Sequence, residues 1–148
     1  MKRVLITLGD SWPEGAELGN GRRYGEILFE EMQFDEFYNY GSGGASNEDM
    51  LYQLQRYVVS HHSDDCATTA IFFLTNPART AHFPRFMDWW DVDNAKLKEI
   101  YLHFNTSEHE IMRSSATVSA LQLWCQNLGI DDYYFSGWVR YPTWLPGV

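Results

Sequence analysis

The chain has 148 residues, of which 45% are hydrophobic, 21% charged and 16% aromatic, a composition suited to one domain with a sizeable core. Eleven basic against twenty acidic residues leave a net charge of −9. That balance repels phosphate backbones, and Arg22-Arg23 is too small a basic patch to bind nucleic acid. No apolar run reaches the length of a membrane span. The two cysteines, Cys66 and Cys125, form neither a disulfide framework nor a CxxC pair, so reduced thiols and a cytoplasmic setting are expected.

Residues 3–8 (RVLITL) are rich in β-branched side chains and predict a strand that stops at Gly9 and Asp10, too short for a secretory signal. After Gly-rich residues 15–21, the positions of Tyr24, Ile27, Leu28 and Met32 predict a helix with one apolar face. "FYNYG" (37–41) predicts a second strand. Ser46 and Asp49 have capping-box spacing and open a helix carrying Leu51, Leu54 and Val58. Residues 69–75 (TAIFFLT) form the clearest buried strand.

Residues 78–91 show no period. Leu97, Ile100, Tyr101 and Phe104 mark a further helix. A second capping box, Ser107 with Glu110, opens a helix carrying Ile111, Val118, Leu121, Cys125 and Leu128, which Gly129 ends. "DYYFSGW" (132–138) predicts the fourth strand, followed by an aromatic tail. Strands alternating with helices predict an α/β fold: a single three-layer α/β/α sandwich around a parallel sheet, spanning residues 1–148.

In such a sheet ligands collect beyond the carboxyl ends of the strands. Three loops leave those ends, carrying Gly9-Asp10-Ser11, Gly41-Ser42-Gly43-Gly44 and Thr75-Asn76-Pro77. Together they hold a hydroxyl, uncovered backbone amides and a side-chain amide, which are the parts needed for acyl transfer. Ser11 is the candidate nucleophile. The N–H groups of Ser11 and Gly44, with the Asn76 amide, are the candidate oxyanion donors. Asp10 is read as a local acceptor that shapes the Ser11 turn.

These blocks resemble the SGNH (GDSL-type) hydrolases. The Gly-Asp-Ser block is matched by Gly9-Asp10-Ser11. "NYGSGGAS" supplies Asn39, Gly41, Gly44 and Ser46 of the second block, Asn-x-Gly-x-x-Gly-x-Ser/Thr. "LTNPAR" keeps Asn76 of the third block, Gly-x-Asn-Asp, but not its glycine or aspartate. The resemblance covers about residues 3–80 and implies a flavodoxin-like strand order, a serine nucleophile and ester substrates. It also implies a fourth block, Asp-x-x-His, that supplies the general base after a fifth strand. No Asp-x-x-His occurs in the sequence, and a serine without a base is a poor nucleophile.

Three accounts of the missing block stay open: a chain that is a piece of a longer hydrolase, a short form that recruits another histidine, and a binding module that has lost catalysis. The first is preferred, because the sequence stops soon after its fourth strand. Of the five histidines, only His82 is close to a site loop, six residues past Asn76. His61 and His62 end a helix on the way into the third strand, toward the wrong edge of the sheet. His103 and His109 flank a helix–helix junction at the surface.

"HHSDD" (61–65) has metal-ligand residue types but reads better as a solvated turn. The Gly-rich loops match neither phosphate-binding pattern. Trp89, Trp90, Trp138 and Trp144 read as core or lid packing before a carbohydrate groove, and Arg79 as a surface ion pair before an anion contact. Two functions follow. The first is an ester hydrolase acting on a small acyl or acetyl ester, on carbohydrate or otherwise. The second is an inactive binding protein of the same fold. Neither implies a cofactor or a metal, and the expected partner is a small molecule, with no nucleic acid and no membrane.

Overall fold

The computed structural model describes residues 1–15, 21–77 and 107–136. The apolar run that opens the chain forms β1 (Lys2–Gly9), buried from Val4 onward. The continuous run near the middle forms β3 (Cys66–Leu74), and two shorter strands flank them, β2 (Glu36–Asn39) and β4 (Asp131–Ser136). They make one four-stranded sheet in the order β2-β1-β3-β4. Every pairing is parallel, with Thr7 opposite Asn39, Gly9 opposite Phe73 and Leu74 opposite Ser136. All four strands therefore end at the same edge.

Among the described residues four helices accompany the sheet: α1 (Ser11–Glu14), α2 (Tyr24–Glu31), α3 (Asp49–Ser60) and α4 (Ser107–Leu128). Alternate residues of β1 and β3 point to opposite faces. Val4, Ile6 and Leu8, with Ala70, Phe72 and Leu74, meet Met50, Leu54 and Tyr57 of α3 and Val118, Leu121 and Cys125 of α4. On the other face Leu5 and Ile71 pack with Phe34, Leu28 and Phe29. The three-layer parallel α/β architecture is the one expected, in flavodoxin-like strand order.

Two helices turn a different face inward from the one their apolar spacing suggests. In α2, Tyr24 and Ile27 are exposed, as is Met32 just beyond its end, while Gly25 is buried. A Cβ on Gly25 would sit 2.4 Å from Phe37 Cζ and 3.0 Å from Thr7 Cγ2. The missing side chain thus lets the helix rest directly on β1 and β2. In α3 the buried stripe is Met50, Gln53, Leu54 and Tyr57, with Leu51 and Val58 at its margin. Tyr57 joins because its hydroxyl finds Thr68 Oγ1 at 2.8 Å, which removes the cost of burying a phenol. The helix expected around Leu97–Phe104, the aperiodic stretch 78–91, the Ser107 side chain and the aromatic tail lie outside the described residues. Among the described residues no helix is long and apolar enough to cross a membrane.

Candidate active site

The turn after β1 is set by its backbone. Gly9 has φ of +137°, and a Cβ there would meet the Phe73 carbonyl oxygen at 2.5 Å, so only glycine fits. Gln53 of α3 grips this residue from below. Its Oε1 accepts from the Gly9 N–H at 2.7 Å and its Nε2 donates to the Gly9 carbonyl at 2.9 Å. Asp10 is 4% exposed. Its carboxylate accepts from the Trp12 N–H at 3.1 Å and caps the single turn α1. Ser11, the first residue of that turn, is half-buried. Asp10 is thus the local acceptor that its position suggested.

The loop after β2 is stitched to this turn. The Ser42 N–H donates to the Gly9 carbonyl at 3.1 Å. Asn39 Oδ1 accepts from the Gly41 N–H at 2.9 Å and from the Thr7 hydroxyl at 3.1 Å, while Asn39 Nδ2 donates to the Pro13 carbonyl at 2.5 Å. One amide side chain therefore ties β2 to β1 and to the segment following Ser11. Gly41 lies so close to Pro13 and Glu14 that a side chain has no room. Gly44 is exposed, with φ of +78°. The Ser46–Asp49 bonds expected of a capping box form, with Asp49 Oδ2 accepting from both the N–H and the hydroxyl of Ser46 at 2.7 Å, but α3 starts only at Asp49, with Glu48 in the cap position.

The loop after β3 is held by two residues that sequence patterns do not single out. Asn47 is 1% exposed. Its Oδ1 accepts from the Thr75 N–H at 2.8 Å, and its Nδ2 donates to the Thr75 carbonyl and to Ser114 Oγ, both at 3.2 Å. Arg113 of α4 donates to the Pro77 carbonyl at 2.9 Å and pairs with the Glu48 carboxylate. Asn76 is the half-buried residue between these two anchors. One turn before Arg113, burial raises the Glu110 carboxyl above its ordinary pKa, with the Arg113 charge acting the other way.

The loops that carry Ser11, Gly44 and Asn76 therefore occupy one edge of the sheet and are joined by hydrogen bonds. The β1 and β2 loops meet at Gly9–Ser42 and Asn39–Pro13, and the β2 and β3 loops meet at Asn47–Thr75. His82 lies outside the described residues. His61 and His62 follow the end of α3, at the opposite edge, where His61 stacks on Tyr38 with centroids 4.2 Å apart and His62 Nε2 is 3.8 Å from Asp64. His109 is exposed in the first turn of α4. Sequence patterns give no sign of Gln53, Asn47 or Arg113, because a polar residue in a helical stretch reads as solvent-facing. Their partners are backbone groups distant in the chain.

Solved structures that share this fold include two of variants of an esterase, AlinE4. An aspartate-to-alanine variant superposes with a TM-score of 0.57 and a serine-to-alanine variant with 0.50, each at 17% sequence identity. Each match covers 98% of this chain and 63% of the esterase, so the chain spans less than two-thirds of that protein's length. At this identity the likeness is one of fold, and the fold is esterase-like. No protein-family model matches the chain, and no curated protein matches it by sequence.

Proposed function

We propose that this chain is a serine ester hydrolase of the SGNH type. Ser11 Oγ attacks the ester carbonyl carbon and gives up its proton to a general base. The carbonyl oxygen becomes an oxyanion held by the N–H groups of Ser11 and Gly44 and by the Asn76 amide. Collapse of the tetrahedral intermediate breaks the bond to the alcohol, which leaves with a proton. Water then hydrolyses the acyl-serine by the same route. Donors fixed before the charge develops contribute most, because the site need not reorganise.

The observation that carries this reading is the lacing of three loops at one sheet edge through Gly9, Asn39 and Asn47. It joins the three loops that carry the hydroxyl, the glycine amide and the side-chain amide this reading uses. The esterase-like fold adds support. The Asp-x-x-His block is not among the 148 residues, so inside the chain the candidate base is His82, and otherwise the base comes from a further segment. The mechanism uses no metal or cofactor, and its partner is a small-molecule ester.

Hydrolysis of p-nitrophenyl acetate tests the reading. Ser11→Ala is expected to lower turnover by about 10³ or more, and Asn76→Ala by about 10²–10³. Turnover that is unchanged in Ser11→Ala removes the serine mechanism. The absent histidine block favours a second reading, a binding protein that uses the same crevice without catalysis. It predicts ligand binding with no turnover by the folded wild-type chain.

A further inference from the structure

Among the described residues, the position of α2 leaves part of the sheet without a helix over it. Gly25 seats the helix over β1 and β2, and the strip over β3 and β4 on the same face carries Phe73 and Phe135, stacked with centroids 5.7 Å apart. Between that strip and the outer side of α2 runs a groove of about 420 Å³, within the range of small-molecule sites. Among the described residues, Tyr24, Ile27, Leu28, Phe73 and Phe135 form its walls. Asp10, Trp12 and Ser136 stand at the strand-end side. The Tyr24 and Phe73 rings lie 6.4 Å apart, centroid to centroid.

The ends of this groove differ in chemistry. Asp10 and Trp12, the chain neighbours of Ser11 on either side, line one end of it, so that end borders the turn that carries the proposed nucleophile. Away from that point its lining is aromatic and aliphatic. Three wall residues are large apolar side chains facing water: Tyr24 at 46%, Ile27 at 39% and Phe135 at 55% exposure. An apolar trough leading away from an acyl-transfer group suits a ligand with a reactive polar head and an apolar tail.

We infer that the groove receives the acyl chain of the substrate, so that the enzyme acts on esters of medium-length aliphatic acids in preference to acetyl esters. The inference rests on the serine hydrolase reading above. Each methylene moved from water onto the apolar walls contributes about 0.8 kcal/mol at most, up to about fourfold in kcat/KM. Acetate has no methylene to place on these walls and gains nothing by this route. Introducing a carboxylate at Ile27 or Phe135 places a charge beside the tail, while their exposure keeps either variant compatible with folding.

Two measurements on the full chain test this together. The first is kcat/KM for p-nitrophenyl acetate, butyrate, hexanoate and octanoate, in wild type, Ile27→Glu and Phe135→Glu. The expected result is a rise with chain length in wild type and an octanoate-to-acetate ratio at least tenfold lower in each variant. The second is binding of sodium octanoate to Ser11→Ala, followed by tryptophan fluorescence, with and without Ile27→Glu. Binding that Ile27→Glu abolishes supports the groove even if no ester is turned over, in which case only the hydrolase reading falls. Acetate turnover with no rise toward octanoate overturns the inference and leaves the hydrolase reading standing. Failure of Ser11→Ala to take up octanoate likewise overturns it.

Discussion

Gln53 closes a two-point clamp on Gly9: its side-chain oxygen takes the glycine N–H at 2.7 Å and its side-chain nitrogen reaches the glycine carbonyl at 2.9 Å. The two residues are 44 positions apart. The clamp fixes the last residue of β1, two before the proposed nucleophile, against the helix beneath it. Gln53→Leu keeps the volume and strands the buried N–H, while the carbonyl retains Ser42 as donor. The expected loss is about 1–3 kcal/mol in urea unfolding. Ester turnover should also fall, since the Ser11 turn loses its support. A variant as stable as wild type would show the clamp to be idle.

Asn47 and Arg113 make the corresponding prediction for the third loop. Asn47→Ala leaves the buried Thr75 N–H and carbonyl without this partner. Arg113→Met releases the Pro77 carbonyl and leaves the Glu48 carboxylate without its guanidinium. Each should cost about 1–3 kcal/mol of stability. If Asn76 acts on the oxyanion, both should lower kcat with little change in KM, because a misplaced donor is felt in the transition state. A change in KM alone would assign these residues to substrate binding instead.

Gly9→Ala should be among the most damaging single substitutions. The added methyl meets the Phe73 carbonyl, and alanine is strained at a φ of +137°. A loss of about 2 kcal/mol or more is expected, measured by thermal or urea unfolding. A fully stable Gly9→Ala chain would mean that β1 and β3 separate easily at the strand-end edge.

Alkaline pH should destabilise the fold. Burial, with the Asp132 charge adding to it, pushes the Cys125 thiol from 9.0 up to about 12. Burial likewise holds the Tyr134 and Tyr57 phenols above their ordinary value of 10.0. The folded chain keeps these protons to higher pH than the unfolded chain does. Stability is therefore full below about pH 9 and falls as pH rises through the window between unfolded and folded values. Each group contributes up to about 1.4 kcal/mol per pH unit there. Unfolding measured from pH 8 to 11 should show this loss, with a shallower onset in Cys125→Ala. A flat profile would contradict it.

The sheet was legible because β1 and β3 are buried on both faces and read as unbroken apolar runs. The loop residues were legible through the small and amide side chains clustered after each strand. The inward face of α2 was not, since periodicity locates apolar residues and cannot tell that Gly25, with no side chain, makes the closest contact. Nor were Gln53, Asn47 and Arg113, whose partners are backbone groups of Gly9, Thr75 and Pro77. Every residue presents such groups, so the chain carries no local mark of which ones need a partner. The groove arises the same way, from where one helix sits.

A fluorophosphonate probe, read by intact mass, tests the central claim most directly. The account predicts one adduct on the folded wild-type chain, mapped to Ser11, and none on Ser11→Ala. A folded wild-type chain that takes up no probe, or an adduct that persists in Ser11→Ala, would contradict it.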